Sequence, residues 1–234
     1  MKDRRNDLVN KLLDYGILIV LLILIIVFSI ASSNFLSINT FVTILRQVAI
    51  TGITSVGMCY VILTGGIDLS VGSIAGLTAV IAAISMQKGF SGIVSSIFAL
   101  IATLGTQQAL RGVAYIVTDG LPVHSFSKTY RNFATASILG IPLMVILMIA
   151  VFLVGKFILE RCTFGRYVYG VGGNEEASRL SGVNVMKVKL MIYAFAGLLS
   201  GIAGLVLLSR TNSGQPSAGD GYEMDAITAV ALGG

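Results

Sequence analysis

Charge is what this sequence has least of. Only 12% of its 234 residues are Asp, Glu, Lys or Arg, about half the share of an ordinary soluble domain. Mean hydropathy is +0.90. So little charge cannot dress a water-facing surface, and the chain reads as an integral membrane protein. The two cysteines, Cys59 in an apolar run and Cys162 beside Arg161, are too far apart in sequence to read as a disulfide framework or a metal site. A single histidine, His124, leaves no nucleophile, base and orienter to assemble, which argues against an enzyme. No G-x-x-x-x-G-K-[ST] pattern occurs, so any ATP that drives this protein is hydrolysed elsewhere. No cofactor is expected. Proline is rare (3) and glycine frequent (27), the mix of closely packed helices in lipid.

What the chain does have is apolar runs. The first, Gly16 to Ala31, follows Lys2, Arg4, Arg5 and Lys11 and resembles a signal peptide; with no small-x-small cleavage site closing it, it is read as a retained span. Further runs cover Val48 to Leu63, Val71 to Met86, Ile93 to Thr118, Ile141 to Phe157 and Val188 to Leu208, and another begins at Ala226. A spanning helix needs about 20 residues. The second and third runs are each shorter, which predicts one discontinuous helix or two half-depth ones. Net charge is +5, and the positive residues gather in two segments that flank spans, as membrane orientation requires. Lys156, Arg161, Arg166, Arg179, Lys187 and Lys189 outnumber Glu160, Glu175 and Glu176. The positive-inside rule therefore makes residues 158–187 a cytoplasmic loop, with residues 1–14 a cytoplasmic N-terminus and the acidic residues 209–225 an external loop. The crossing count then asks for one net crossing between Val48 and Met86. The fold expected is all-α: one polytopic transmembrane helical bundle over residues 1–234, with a discontinuous helix and a short cytoplasmic helix.

Asp68 is the only charged residue between Arg46 and Lys88. A carboxylate at membrane depth costs roughly 2.5 to 3.5 kcal/mol on insertion scales, and Gly65-Gly66 loosens a helix just before it. A helix broken beside a polar cavity accounts for both. Thr64, Gly65, Gly66, Asp68 and Ser70 are the candidate substrate path, with Thr103 and Thr106 as weaker members. Asp68 also precedes the run from Val71, where a carboxylate accepts backbone N–H bonds as a cap. Arg111 reads as snorkelling towards an interface, with a pairing to Asp68 as the alternative. Tyr60 and Tyr115 read as packing or interfacial aromatics. A secondary transporter or channel using Asp68 as an ion-coupling site is the competing class.

In the long polar connection, Asn174 is a good N-cap, Glu175 and Glu176 suit a first turn, and Gly182 supplies a stop. This specifies a helix of about two turns, too short to stand alone in water. It lies on the membrane or its own bundle, or docks a soluble partner through Ala177 and Leu180.

The run Thr163-Phe164-Gly165-Arg166, Gly172-Gly173-Asn174, Ala177 to Leu180 and Ser181-Gly182-Val183-Asn184-Val185 resembles the cytoplasmic coupling loop of ribose-type (simple-sugar) ABC transporter permeases. Leu63 to Ser73, Ile101 to Thr106 with Arg111-Gly112, and Gly221 to Ile227 match the same family. The resemblance implies a permease subunit translocating a simple sugar. Two copies would form the path, two ATPase subunits would dock beneath, and a periplasmic sugar-binding protein would deliver substrate. Asn174, Glu175, Glu176, Ala177, Arg179, Leu180, Ser181 and Gly182 would couple to the ATPase. Family members carry another apolar segment before the stretch matching Ile101, and continue past Gly234. By that comparison the chain is internally shortened and truncated at its C-terminus, and a non-transporting remnant is the third expectation.

Overall fold

The computed structural model describes residues 16–94, 107–124 and 128–233. Among these are ten helices and one small hairpin. Residues up to Leu45 and those from Arg46 onward form two separate units.

The first unit holds α1 (Gly16–Ala31). Its apolar side chains are exposed all round, Ile30 at 83% among them, as suits a helix solvated by lipid. Phe28 and Phe35 stack at 5.6 Å across the turn that follows. Ser37 caps α2 (Ile38–Leu63), its Oγ accepting from the Thr40 N–H at 3.2 Å, one of the donors that a helix start leaves free.

Within the second unit the rest of α2 is followed by α3 (Val71–Gln87), α4 (Gln107–Val117) and α5 (Lys128–Thr135). The hairpin comes next: β1 (Ser137–Ile138) pairs antiparallel with β2 (Ile141–Pro142). Its two loop residues, Leu139 and Gly140, both have positive φ, the tight turn that fits strand twist. Then come α6 (Leu143–Arg161), α7 (Thr163–Gly173), α8 (Glu175–Leu180), α9 (Val185–Thr211) and α10 (Tyr222–Gly233). Three of the described helices, α2, α6 and α9, are long and apolar enough to cross a membrane.

The core lies around α3 and α9. In lipid no hydrophobic force draws helices together, so small residues that let backbones touch do that work. A Cβ on Gly204 would strike the Ala75 carbonyl, and one on Gly214 would meet Ala83 and Ala79. Ile74, Leu77 and Val80 of α3 cluster with Ala114 of α4. Ala79, Ala82, Ala83 and Met86 cluster with Val123 and Leu208.

These contacts give the relative directions of α2 and α3. Residue numbers rise together along α3 and α9, from Ala75 with Gly204 to Ala83 with Gly214; along α2 they rise as those of α9 fall, from Gly57 with Ala196 to Gly66 with Tyr193. The chain therefore reverses at residues 64–70. The discontinuity is where it was expected, but α2 alone has 26 residues, about 39 Å of helix, and α3 runs back in the opposite direction instead of continuing it. The apolar run appeared short because Thr43, Arg46 and Gln47 interrupt it, yet they belong to the helix. The end of α3 meets the segment after α4, where Gln87 donates to the His124 carbonyl.

Candidate functional site

At the reversal, α2 ends in a Schellman closure: the Gly66 N–H donates to the Val61 carbonyl at 3.1 Å and the Gly65 N–H to that of Ile62 at 2.9 Å. This closure needs a left-handed residue, and Gly65 has φ +75. Thr64 donates its hydroxyl back to Val61 at 2.9 Å. Asp68 is 7% exposed. Its Oδ1 accepts from the Ser70 N–H at 2.8 Å and the Ser70 hydroxyl at 2.5 Å. The carboxylate thus closes the turn that leads into α3, beside the positive end of that helix. Thr64, Gly65, Gly66, Asp68 and Ser70 are one continuous turn. Thr103 and Thr106 lie outside the described residues.

Arg111 does not pair with Asp68. It pairs with Asp220 at 2.5 Å, because the segment before α10 folds back along α3: a Cβ on Gly76 would meet the Ala218 carbonyl, and one on Gly72 the Glu223 carboxylate. The three acids of the expected external loop, Asp220, Glu223 and Asp225, have different surroundings. Asp220 is paired, Asp225 lines a groove between helices, and Glu223 is buried at 9% exposure with Oε2 unbonded. Counting acids carries no information about which of them faces inward. Tyr60 is a packing aromatic, as expected: it is 1% exposed, donates to the Gly155 carbonyl at 2.6 Å, and meets Phe195 edge-on at 5.0 Å and Phe164 at 6.4 Å.

The long connection is mostly helix. Gly165 to Gly173, within the expected cytoplasmic loop, belong to α7. After it α8 forms where the capping signals place it. Asn174 Oδ1 accepts from the Ala177 N–H at 2.9 Å, and Gly182, at φ +87, ends the helix as the Val183 N–H returns to the Ser178 carbonyl at 3.0 Å. Glu176 pairs with Arg179 at 2.7 Å, and Glu175 with Lys189 of α9 at 2.6 Å. Held at both ends, α8 buries none of its residues. Ala177 is exposed and Leu180 is 81% exposed, so these side chains do not pack on the chain's own bundle.

The turn and the connection, distant in sequence, touch. A Cβ on Gly172 would collide with the Leu63 carbonyl; α7 is seated on the end of α2. A Cβ on Gly66 would meet the Tyr193 hydroxyl, which brings α9 to the same place. Leu63, Gly66, Gly172 and Tyr193 form a junction among three helices and the turn. Sequence reading missed it, since a glycine in a Gly-rich stretch does not announce what it touches.

Among the described residues no three His, Cys, Asp or Glu side chains gather to hold a metal.

A family model described as the permease component of a branched-chain amino acid transport system matches residues 90–234. The chain is 43% identical to a ribose import permease protein of Haemophilus influenzae, with 92% of this chain and 75% of that protein covered. It is 41% identical to a ribose import permease protein of Bacillus subtilis, with 92% and 74% covered. With the L-arabinose transport system permease protein of Escherichia coli the identity is 34%, with 94% and 74% covered. The Haemophilus match spans 242 positions against 92% of 234 residues, so that relative carries residues within the matched region that this chain lacks. No solved structure matches.

Proposed function

The chain belongs to the family of permease components of branched-chain amino acid transport systems and is a multi-pass membrane permease, and from that premise we propose that it carries a simple sugar across the bacterial cytoplasmic membrane as a subunit of an ATP-binding cassette importer. Ribose and arabinose, named for its relatives, are the substrates to test first. Two copies would form the path, a periplasmic sugar-binding protein would deliver substrate, and separate ATPase subunits would dock on the cytoplasmic side, where the N-terminus also lies.

One observation carries this reading. Outside the apolar spans, α8 is fixed by a cap, a Schellman closure and the ion pair to Lys189, yet its apolar Leu180 is 81% exposed. A short helix is not stable alone in water, and a rigid element with an uncovered apolar tip suits a groove in another protein. Movement of α8 passes to α7 and through the Gly172 contact to the end of α2. There Thr64, Gly65, Gly66, Asp68 and Ser70, with Thr103 and Thr106 as further members, would form the gate of the path. Asn174 to Gly182 transmit ATPase closure, because only an element with discrete positions biases two states of a bundle.

The test replaces Glu175 to Ser181 by a Gly-Ser linker in the chain co-expressed with its ATPase and binding protein. The expected result is loss of ATPase co-purification and of labelled ribose uptake, with membrane insertion unchanged. Equal ATPase binding by the linker variant would overturn the coupling role.

A further inference from the structure

A groove of about 740 Å³ runs between α2, α6 and α10, apart from the Thr64 to Ser70 turn. Its α2 wall has a pattern: Gln47, Thr51, Ser55 and Cys59 all line it. They are spaced every fourth residue, which places them in one row along a helix face. From Gln47 to Cys59 the row rises by about 18 Å of a hydrocarbon core about 30 Å thick. A helix face turned to lipid gains nothing from such a row, and polar side chains within spans mark a cavity or a path. Ser55 satisfies its proton by donating to the Thr51 carbonyl at 2.7 Å, which leaves its oxygen free to accept from a guest.

The facing wall is different. Met148 and Phe152 of α6 present an apolar surface, and towards the end of α6 Lys156 and Glu160 pair with each other at 3.7 Å. Asp225 of α10 also lines the groove, so the guest must be polar on one edge, apolar on the other, and free of negative charge. A monosaccharide meets all three conditions, with a hydroxyl edge and a C–H face. We infer that the row Gln47, Thr51, Ser55 and Cys59 is the sugar-conducting face of this subunit, with the hydroxyls passed along α2 while the ring slides over Met148 and Phe152. The inference rests on the sugar-import reading above and adds to it the location of the path.

Cys59 is a built-in reporter, half-buried and unbonded to another cysteine. The experiment uses the Cys162→Ser chain in proteoliposomes with its ATPase and binding protein, and labelled D-ribose and L-arabinose as probes. A bulky maleimide coupled to Cys59 should lower uptake at least tenfold. Transported sugar in excess should slow that coupling severalfold, and the Cys59→Ser protein, whatever its own rate, should transport equally with and without the reagent. Because modification follows folding, misfolding does not enter. Uptake by fully modified protein within twofold of the unmodified rate overturns the assignment, as does a Cys59 that does not react even with a small maleimide. If the unmodified assembly imports neither sugar, the sugar reading itself fails and this inference with it; if it imports one and the Cys59 block is silent, only the path assignment falls.

Discussion

Replacing Gly172 by Ala tests the junction between coupling segment and turn. The added methyl would coincide with the Leu63 carbonyl, a backbone atom that cannot swing aside. Overpacking of this kind costs about 1–3 kcal/mol. Ala also gains up to about 1 kcal/mol over Gly inside a helix, so the single variant mixes two opposing effects. Gly173, the next residue and the last of α7, separates them. A Cβ there meets nothing within 4 Å, so Gly173→Ala carries a propensity gain without the collision. The difference between the two variants should be about 1–3 kcal/mol, read as apparent thermal midpoints in detergent at about 2–4 °C per kcal/mol for a chain of this size. The Gly172 variant should have the lower midpoint. Its uptake should fall further than that of Gly173→Ala while ATPase co-purification is kept, since α8 remains intact and only its link to α2 is disturbed. Equal midpoints and equal uptake in the two variants would refute the contact and the transmission route drawn through it.

Asp68→Asn keeps an oxygen for the Ser70 N–H and should retain transport, whereas Asp68→Ala should lose about 0.5–2 kcal/mol and most uptake; loss with Asn at normal expression would mean that the charge itself is required. Tyr60→Phe removes the bond to the Gly155 carbonyl and should cost about 1 kcal/mol, measured as a lower thermal midpoint with α-helical content unchanged; no shift would show that the bond contributes nothing. In a double-mutant cycle, Arg111→Gln and Asp220→Asn should couple by at most about 1 kcal/mol, since the Asp220 side chain is 65% exposed, and a coupling well above that would place the pair in a drier setting. An impermeant maleimide should reach Cys162 only from the cytoplasmic face, and labelling from outside would invert the proposed orientation.

Local signals were legible wherever a residue's neighbours in sequence are its neighbours in space. The lack of charge, the apolar runs, Asn174 and Gly182 around α8, and Gly65 ahead of Asp68 all act within a few residues, and the end of α2 and both ends of α8 stand where those signals put them. The single charge at Asp68 likewise marked the break, and its bond to Ser70 is local too. What a sequence cannot carry is which distant backbone fills the space that a glycine leaves. Tertiary packing decided that α2 and α3 double back, that Arg111 takes Asp220, that Glu223 is buried against Gly72, and that Gly172 rests on Leu63. In lipid the reason is physical: every apolar face is already solvated, so periodicity does not say which face turns inward, and the choice falls to close contacts between small residues far apart in the chain.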